Sequence, residues 1–148
     1  MSDLVITRVF RAGIDHVYDY ISKPEHVMTW WGPEGMTLPR HDLNFGQAGP
    51  WMSVMKASDG SEFHVSGEVT DVDPPRSIGF TWAWHDAAGA RGHESQVRIE
   101  LEAIGDATRF TLTHSGLADA DSVASHQRGW TSTLSKLQTH IPLDEMAT

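Results

Sequence analysis

Nine histidines are the residues of this sequence with the widest chemical reach, because a neutral imidazole can ligate a metal ion or move a proton near neutral pH. Their spacing narrows that reach. No H-E-x-x-H or comparable ligand run occurs, and His16, His26, His41, His126 and His140 fall on segments expected to be exposed. His93 and His114, with Glu94 or His64, are the positions where ligands could converge; neither a metal site nor a cofactor is assigned. For acid–base chemistry His114 or His93 would serve as the base and Ser95 or Glu94 would orient a substrate, since a histidine in an apolar pocket can be tuned toward working pH. The absence of cysteine removes disulfides, thiolate metal sites and Cys nucleophiles. There is no nucleophile elbow, and Gly13, Gly32 and Gly35 follow no G-x-G-x-x-G pattern.

Six tryptophans, Trp30, Trp31, Trp51, Trp82, Trp84 and Trp130, are the second unusual resource. Each brings a large apolar area and an N–H that wants an acceptor, so a small domain with this many has either a bulky core or a cavity walled by rings. Trp82 and Trp84 stand two apart on one predicted strand, and Trp130 lies on the apolar stripe of a predicted helix. Three such rings facing each other leave volume that is hard to fill at interior density.

The elements that must position these groups are legible in the periodicity. Residues 4 to 12 alternate as a strand, and after Gly13 the stripe Ile14, Val17, Tyr18, Ile21 predicts a short helix that stops before Pro24. A second short helix runs through Val27 to Trp30. Between Trp31 and Pro50 glycines and prolines leave room only for loops around one short strand near Leu38 to Leu43. Strand signals recur at Trp51 to Ala57, Glu62 to Val72 and Arg76 to His85, with turns at Ser58-Asp59-Gly60 and Pro74-Pro75. His93, Ser95, Val97, Ile99 and Leu101 share a face on the next strand, and Thr108, Phe110, Leu112 and His114 on the last. From Asp119 or Asp121 a long helix carries Val123, Trp130, Leu134, Leu137 and Ile141 on one stripe until Pro142.

An antiparallel sheet must cover its apolar face, and that helix is the only long apolar stripe available. The expected fold class is therefore α+β, a curved antiparallel sheet wrapped around a long C-terminal helix, as a single domain over 1–148 with a core from about 4 to 142. The gap between sheet and helix is the natural pocket. Its expected walls are Trp51, Met55, Phe80, Trp82, Trp84, Val97, Leu112, Trp130 and Leu134, with His93, Ser95 and His114 as the polar end. Trp30 and Trp31 are expected at the mouth, where Gly32-Pro33 could act as a lid. Core packing for the rings and a wet sheet edge for the histidines is the competing reading.

Twenty acidic against eleven basic side chains give a net charge of -9, which disfavours a nucleic-acid partner and anionic membrane surfaces. The N-terminal residues lack a signal-peptide pattern and no stretch is apolar for long enough to span a membrane, so a soluble, cytoplasmic protein is expected. An exposed edge strand, Glu62 to Val72 or the first strand, could pair across a homodimer.

Arg8-Val9-Phe10, Pro24-Glu25-His26, Trp30-Trp31-Gly32-Pro33, Gly67-Glu68-Val69, Pro74-Pro75-Arg76, Phe80-Thr81-Trp82, Thr108-Arg109-Phe110 and Gly129-Trp130 occur in an order and spacing that resembles the START-like (SRPBCC) superfamily, in its branch of activator-of-heat-shock-protein-90-ATPase homologues. The resemblance implies a helix-grip fold with a deep cavity and the binding of lipids, polyketides, hormones or other hydrophobic small molecules. It also implies two alternatives, an enzyme of the cyclase or hydrolase kind and a co-chaperone-like domain whose surface contacts a chaperone. Gln47-Ala48-Gly49-Pro50 departs from the tighter Gly-Gly turn common in the family.

Overall fold

Alternating apolar residues build strand after strand, and the computed structural model, which describes residues 2–143, joins them into one seven-stranded antiparallel sheet. The strands are β1 (Ser2–Phe10), β2 (Thr37–Asp42), β3 (Gly49–Lys56), β4 (Glu62–Asp73), β5 (Ser77–His85), β6 (Arg91–Ile104) and β7 (Ala107–Leu117). Their order, β1-β7-β6-β5-β4-β3-β2, is a simple meander from β2 to β7 with β1 added beside β7. Helices α1 (Ile14–Ser22) and α2 (Pro24–Val27) make the one long crossing, from β1 at one edge to β2 at the other. The Glu62 to Val72 strand is thus not an edge, contrary to expectation: β4 is paired on both sides, with β3 and β5. The edges are β1, as anticipated, and β2.

Helix α3 (Ala120–His140) begins where Asp119 caps it, its carboxylate accepting from Ser122 N at 2.8 Å. It buries Trp130, Thr133, Leu134 and Leu137 against the sheet. Its far end is anchored to β1, because Arg11 N donates to Pro142 O at 2.7 Å and Leu143 bridges Phe10. The expected helix-grip arrangement results: a curved sheet closed over one long helix. None of the described helices is long and apolar enough to cross a membrane.

The loop after β2 does more than connect. Leu43 and Phe45 are almost fully buried, and Phe45 is tied by its N–H to Ser22 O at 3.0 Å. Its ring packs on Phe80 at 4.7 Å, on Trp51 at 5.4 Å and on Trp31 at 5.3 Å. Each such side chain stabilises by roughly 1.5–3 kcal/mol through burial. Phe45 therefore plugs one end of the space between sheet and helix, and what remains open lies at the other.

Candidate functional site

The open end is a cavity of about 330 Å³, within the range of small-molecule sites. Strand β5 contributes Trp82 and Trp84, β3 contributes Met55 and β4 contributes Phe63. Opposite them stand Trp130, His126, Ser125, Gly129 and Thr133 of α3, and Trp31, Gly32, Pro33 and Met36 close the side. Ser125, Gly129 and Thr133 are spaced four apart, so one face of the helix carries small side chains. A Cβ on Gly129 would meet nothing within 4 Å. The cavity exists because bulky rings on the sheet oppose small residues on the helix.

Trp31 is the hub of the wall. Its ring lies 5.9 Å from Trp82, 5.8 Å from Trp130 at an angle of 87°, and 5.6 Å from Trp51. The loop that follows is held on α3: Lys136 Nζ donates to the carbonyls of Trp31 and Gly32, each at 3.2 Å, and Ser132 Oγ accepts from Glu34 N at 2.8 Å. Gly32 has φ +87°, a conformation that an L side chain resists, and a Cβ there would press on Met55 Sδ. Burial pushes the Lys136 ammonium below its ordinary pKa, with Glu34 pulling the other way.

Behind the rings runs a buried polar relay. Trp130 Nε1 donates to His114 Nδ1 at 3.1 Å, His114 Nε2 and Ser95 Oγ lie 2.7 Å apart, and Ser95 Oγ donates to the Trp82 carbonyl at 3.4 Å. These partners select one neutral tautomer, in which Nδ1 accepts and Nε2–H donates. Burial, and secondarily the nearby His126, lower the His114 pKa to about 3. The second imidazole repeats the pattern: Trp84 Nε1 donates to His126 Nε2 at 3.0 Å, and His126 Nδ1–H points to Ser122 O at 2.7 Å.

Of the residues singled out by sequence, Trp31, Met55, Trp82, Trp84 and Trp130 meet around the cavity. Trp51, Phe80, Val97, Leu112 and Leu134 lie buried in the core instead, Trp51 and Phe80 against the Phe45 ring. Trp30 is not at the mouth: it is buried, with its Nε1 donating to Tyr20 O at 2.7 Å. His114 and Ser95 sit behind the wall, with their polar atoms engaged. His93 departs furthest from expectation. Residues 91 to 94 are all exposed where β6 runs past the cover of α3, and His93 Nε2 contacts Gly116 O at 2.7 Å.

His126, expected on an exposed segment, is half-buried and lines the cavity. His64 stacks on His85 at 3.8 Å on the opposite side of the sheet, so it does not approach His93 or His114. Among the described residues no three His, Asp or Glu are grouped to hold a metal ion. Phe63 shares strand phase with buried Val65 on β4 and could have been found from that alternation, whereas Met36 lies in the glycine- and proline-rich loop before β2, where no periodicity places it. Ser125, His126, Gly129 and Thr133 could have been found from their i, i+4 spacing beside Trp130.

Comparison with known proteins agrees with this architecture. Residues 11–141 match the family described as Activator of Hsp90 ATPase homolog 1-like protein. The crystal structure of the AHSA1 protein from Silicibacter pomeroyi is 42% identical, covers 94% of this chain and 96% of its own, and superposes with a TM-score of 0.91. Proteins from Chromobacterium violaceum (20% identity, 97% and 100% coverage, TM-score 0.79) and Mycobacterium smegmatis (21%, 93% and 88%, 0.77) share the fold. No curated protein matches the sequence. With most of its length matched and a close structural relative at this identity, the chain belongs to the Activator of Hsp90 ATPase homolog 1-like family.

Proposed function

We propose that the protein binds a small, largely apolar, ring-bearing molecule in the cavity between β5 and α3. The observation that carries this reading is the opposition of Trp31, Trp82 and Trp84 to the α3 face that carries Trp130 and the small residues Ser125, Gly129 and Thr133, across about 330 Å³ of open space. A merely structural cluster of rings would be expected to close to interior density. The acid–base alternative is less well supported, because both nitrogens of His114 are engaged and its pKa of about 3 makes it a poor base.

Intrinsic tryptophan fluorescence, titrated with aromatic ketones, flavonoids, sterols and fatty acids, tests the reading, together with denaturing mass spectrometry for compounds that co-purify. Saturable quenching by ring compounds, lost in Trp130→Ala and retained in Trp30→Ala, is the expected result. No response to any class would sink it and turn attention to the surface and to a chaperone partner of the kind the family description suggests.

A further inference from the structure

Almost every hydrogen-bonding side chain in the cavity lining is already engaged. Trp31 Nε1 donates to Ser53 Oγ, Trp84 Nε1 to His126 Nε2, Trp130 Nε1 to His114 Nδ1, and His126 Nδ1–H points to Ser122 O. Trp82 Nε1 is sealed within the wall, out of reach of anything in the cavity. Two hydroxyls remain, on Ser125 and Thr133 of α3. Ser125 is exposed at the rim, where water satisfies it. From there the small-residue face runs inward through half-buried Gly129 to Thr133, about two turns along the helix and only 4% exposed.

The Thr133 hydroxyl is the uncommitted group. It makes no hydrogen bond among the described residues, whereas Ser135 and Thr139 of the same helix each donate to a carbonyl of the preceding turn. Unlike Trp82 Nε1 and Tyr18 Oη, it is not sealed away from open space either. The open space that Thr133 lines is this cavity; the other groove along α3 is lined by Thr131, Ser132 and Ser135 instead. The hydroxyl is therefore presented to whatever occupies the inner part of the cavity.

Charge narrows what that occupant can be. Among the described residues no Lys, Arg, Asp or Glu lines the cavity, and Lys136, the nearby cation, is committed to the carbonyls of Trp31 and Gly32. A carboxylate placed among these rings would lose its hydration with no counter-charge to replace it. A hydrocarbon would strip water from the hydroxyl and leave it unpaired, which a neutral ligand oxygen avoids. Resting on the binding function proposed above, we propose that Thr133 is the specificity-determining residue of the cavity, its hydroxyl donating to the carbonyl oxygen of an uncharged, ring-bearing ketone. The rings supply the bulk of the affinity and the hydroxyl selects the oxygen.

Matched pairs that differ by one oxygen provide the probe: 1-indanone against indane, and 9-fluorenone against fluorene. The wild-type protein is expected to bind each ketone about three- to tenfold more tightly than its hydrocarbon, the range of one hydrogen bond. Thr133→Val keeps the branched shape and removes the hydroxyl. Because that hydroxyl holds nothing within the protein, the variant should fold and bind the hydrocarbons as the wild type does, and the ketone preference should vanish. The carbonyl stretching band of carbon-13-labelled 9-fluorenone gives a second readout in the unaltered protein: hydrogen-bonded, it should lie at lower wavenumber than in a dry hydrocarbon solvent. Equal affinity within each pair, a preference that survives Thr133→Val, or an unshifted band would overturn the role of Thr133 and leave the cavity reading standing. Binding of neither member of either pair would overturn both.

Discussion

The Trp130 indole N–H donates to His114 Nδ1 across 3.1 Å, and this bond ties the covering helix to the last strand through a histidine that must stay neutral to accept it. Protonating His114 would turn the acceptor into a donor facing another donor. Its pKa in the folded protein, about 3 against an ordinary 6.5, states the same fact as an equilibrium.

The linkage has a definite sign. Below pH 6.5 the unfolded chain takes up a proton at this histidine and the folded chain does not, so the stabilisation is complete above 6.5 and is lost progressively as pH falls toward 3. The slope is on the order of 1.4 kcal/mol per pH unit from this group. His114→Gln supplies an amide oxygen for Trp130 and an amide N–H for Ser95 without titrating. Its denaturant midpoint should therefore fall less between pH 7 and pH 4 than that of the wild type. His114→Phe should instead lose about 1–3 kcal/mol at pH 7 by leaving the Trp130 N–H unpaired. Parallel acid slopes in the wild type and the Gln variant would contradict the assignment.

Gly129 separates stability from binding. A helical glycine costs about 0.8–1 kcal/mol relative to alanine, and a Cβ here meets nothing within 4 Å. Gly129→Ala should accordingly raise stability by up to that amount in denaturant titrations. Gly129→Leu, reaching into the cavity, should keep the fold by circular dichroism while weakening binding of the aromatic probes at least about tenfold, the loss of roughly 1.4 kcal/mol. If the leucine variant binds as well as the wild type, the ligand is not in this cavity.

Much of this arrangement is written in local pattern. Ser95, Val97, Ile99 and Leu101 alternate so cleanly that the placement of β6 follows from period two alone, and the stripe from Trp130 to Ile141 fixes the face of α3. Strand phase correctly groups Trp82 with Trp84 inside. It does not say how far along a strand the covering helix reaches, which is why His93 shares the phase of Ser95 and is nevertheless exposed. Nor does it reveal Phe45, an isolated aromatic in a punctuated loop whose burial depends on a tertiary contact with Ser22. Without that plug, Trp51 and Phe80 could equally have lined a pocket.

Lys136 should act on the loop rather than on the fold. Its two carbonyl contacts hold Trp31 and Gly32, which both line the cavity, and its side chain is half-buried. Solvent screening reduces the value of such a group to about 1 kcal/mol. Lys136→Met should therefore speed hydrogen exchange of the backbone at residues 31–36 by roughly five- to tenfold and raise ligand off-rates, with little change in exchange across β5 to β7. Uniform acceleration across the whole sheet would mean that the lysine supports global stability instead.

Gly67 tests how tightly the sheet is drawn behind the rings. A Cβ at this position would collide with the Thr81 carbonyl of the neighbouring strand. That same oxygen accepts from Trp51 Nε1 at 3.1 Å, and the Thr81 hydroxyl accepts from Glu68 N at 2.8 Å. Backbone cannot swing aside as a flexible side chain would, so Gly67→Ala must push β4 and β5 apart beside Trp82. The cost should be about 3 kcal/mol, lowering the melting temperature by roughly 6–12 °C for a domain of this size. Gly13→Ala is the control: it has an ordinary φ of -68° and open space around its Cβ, and should cost no more than about 1 kcal/mol, the preference of the α1 N-cap for glycine over alanine. Equal melting of the two variants would show that β4 and β5 can separate at little cost, and a wall so easily displaced could not hold the Trp82 ring in one place.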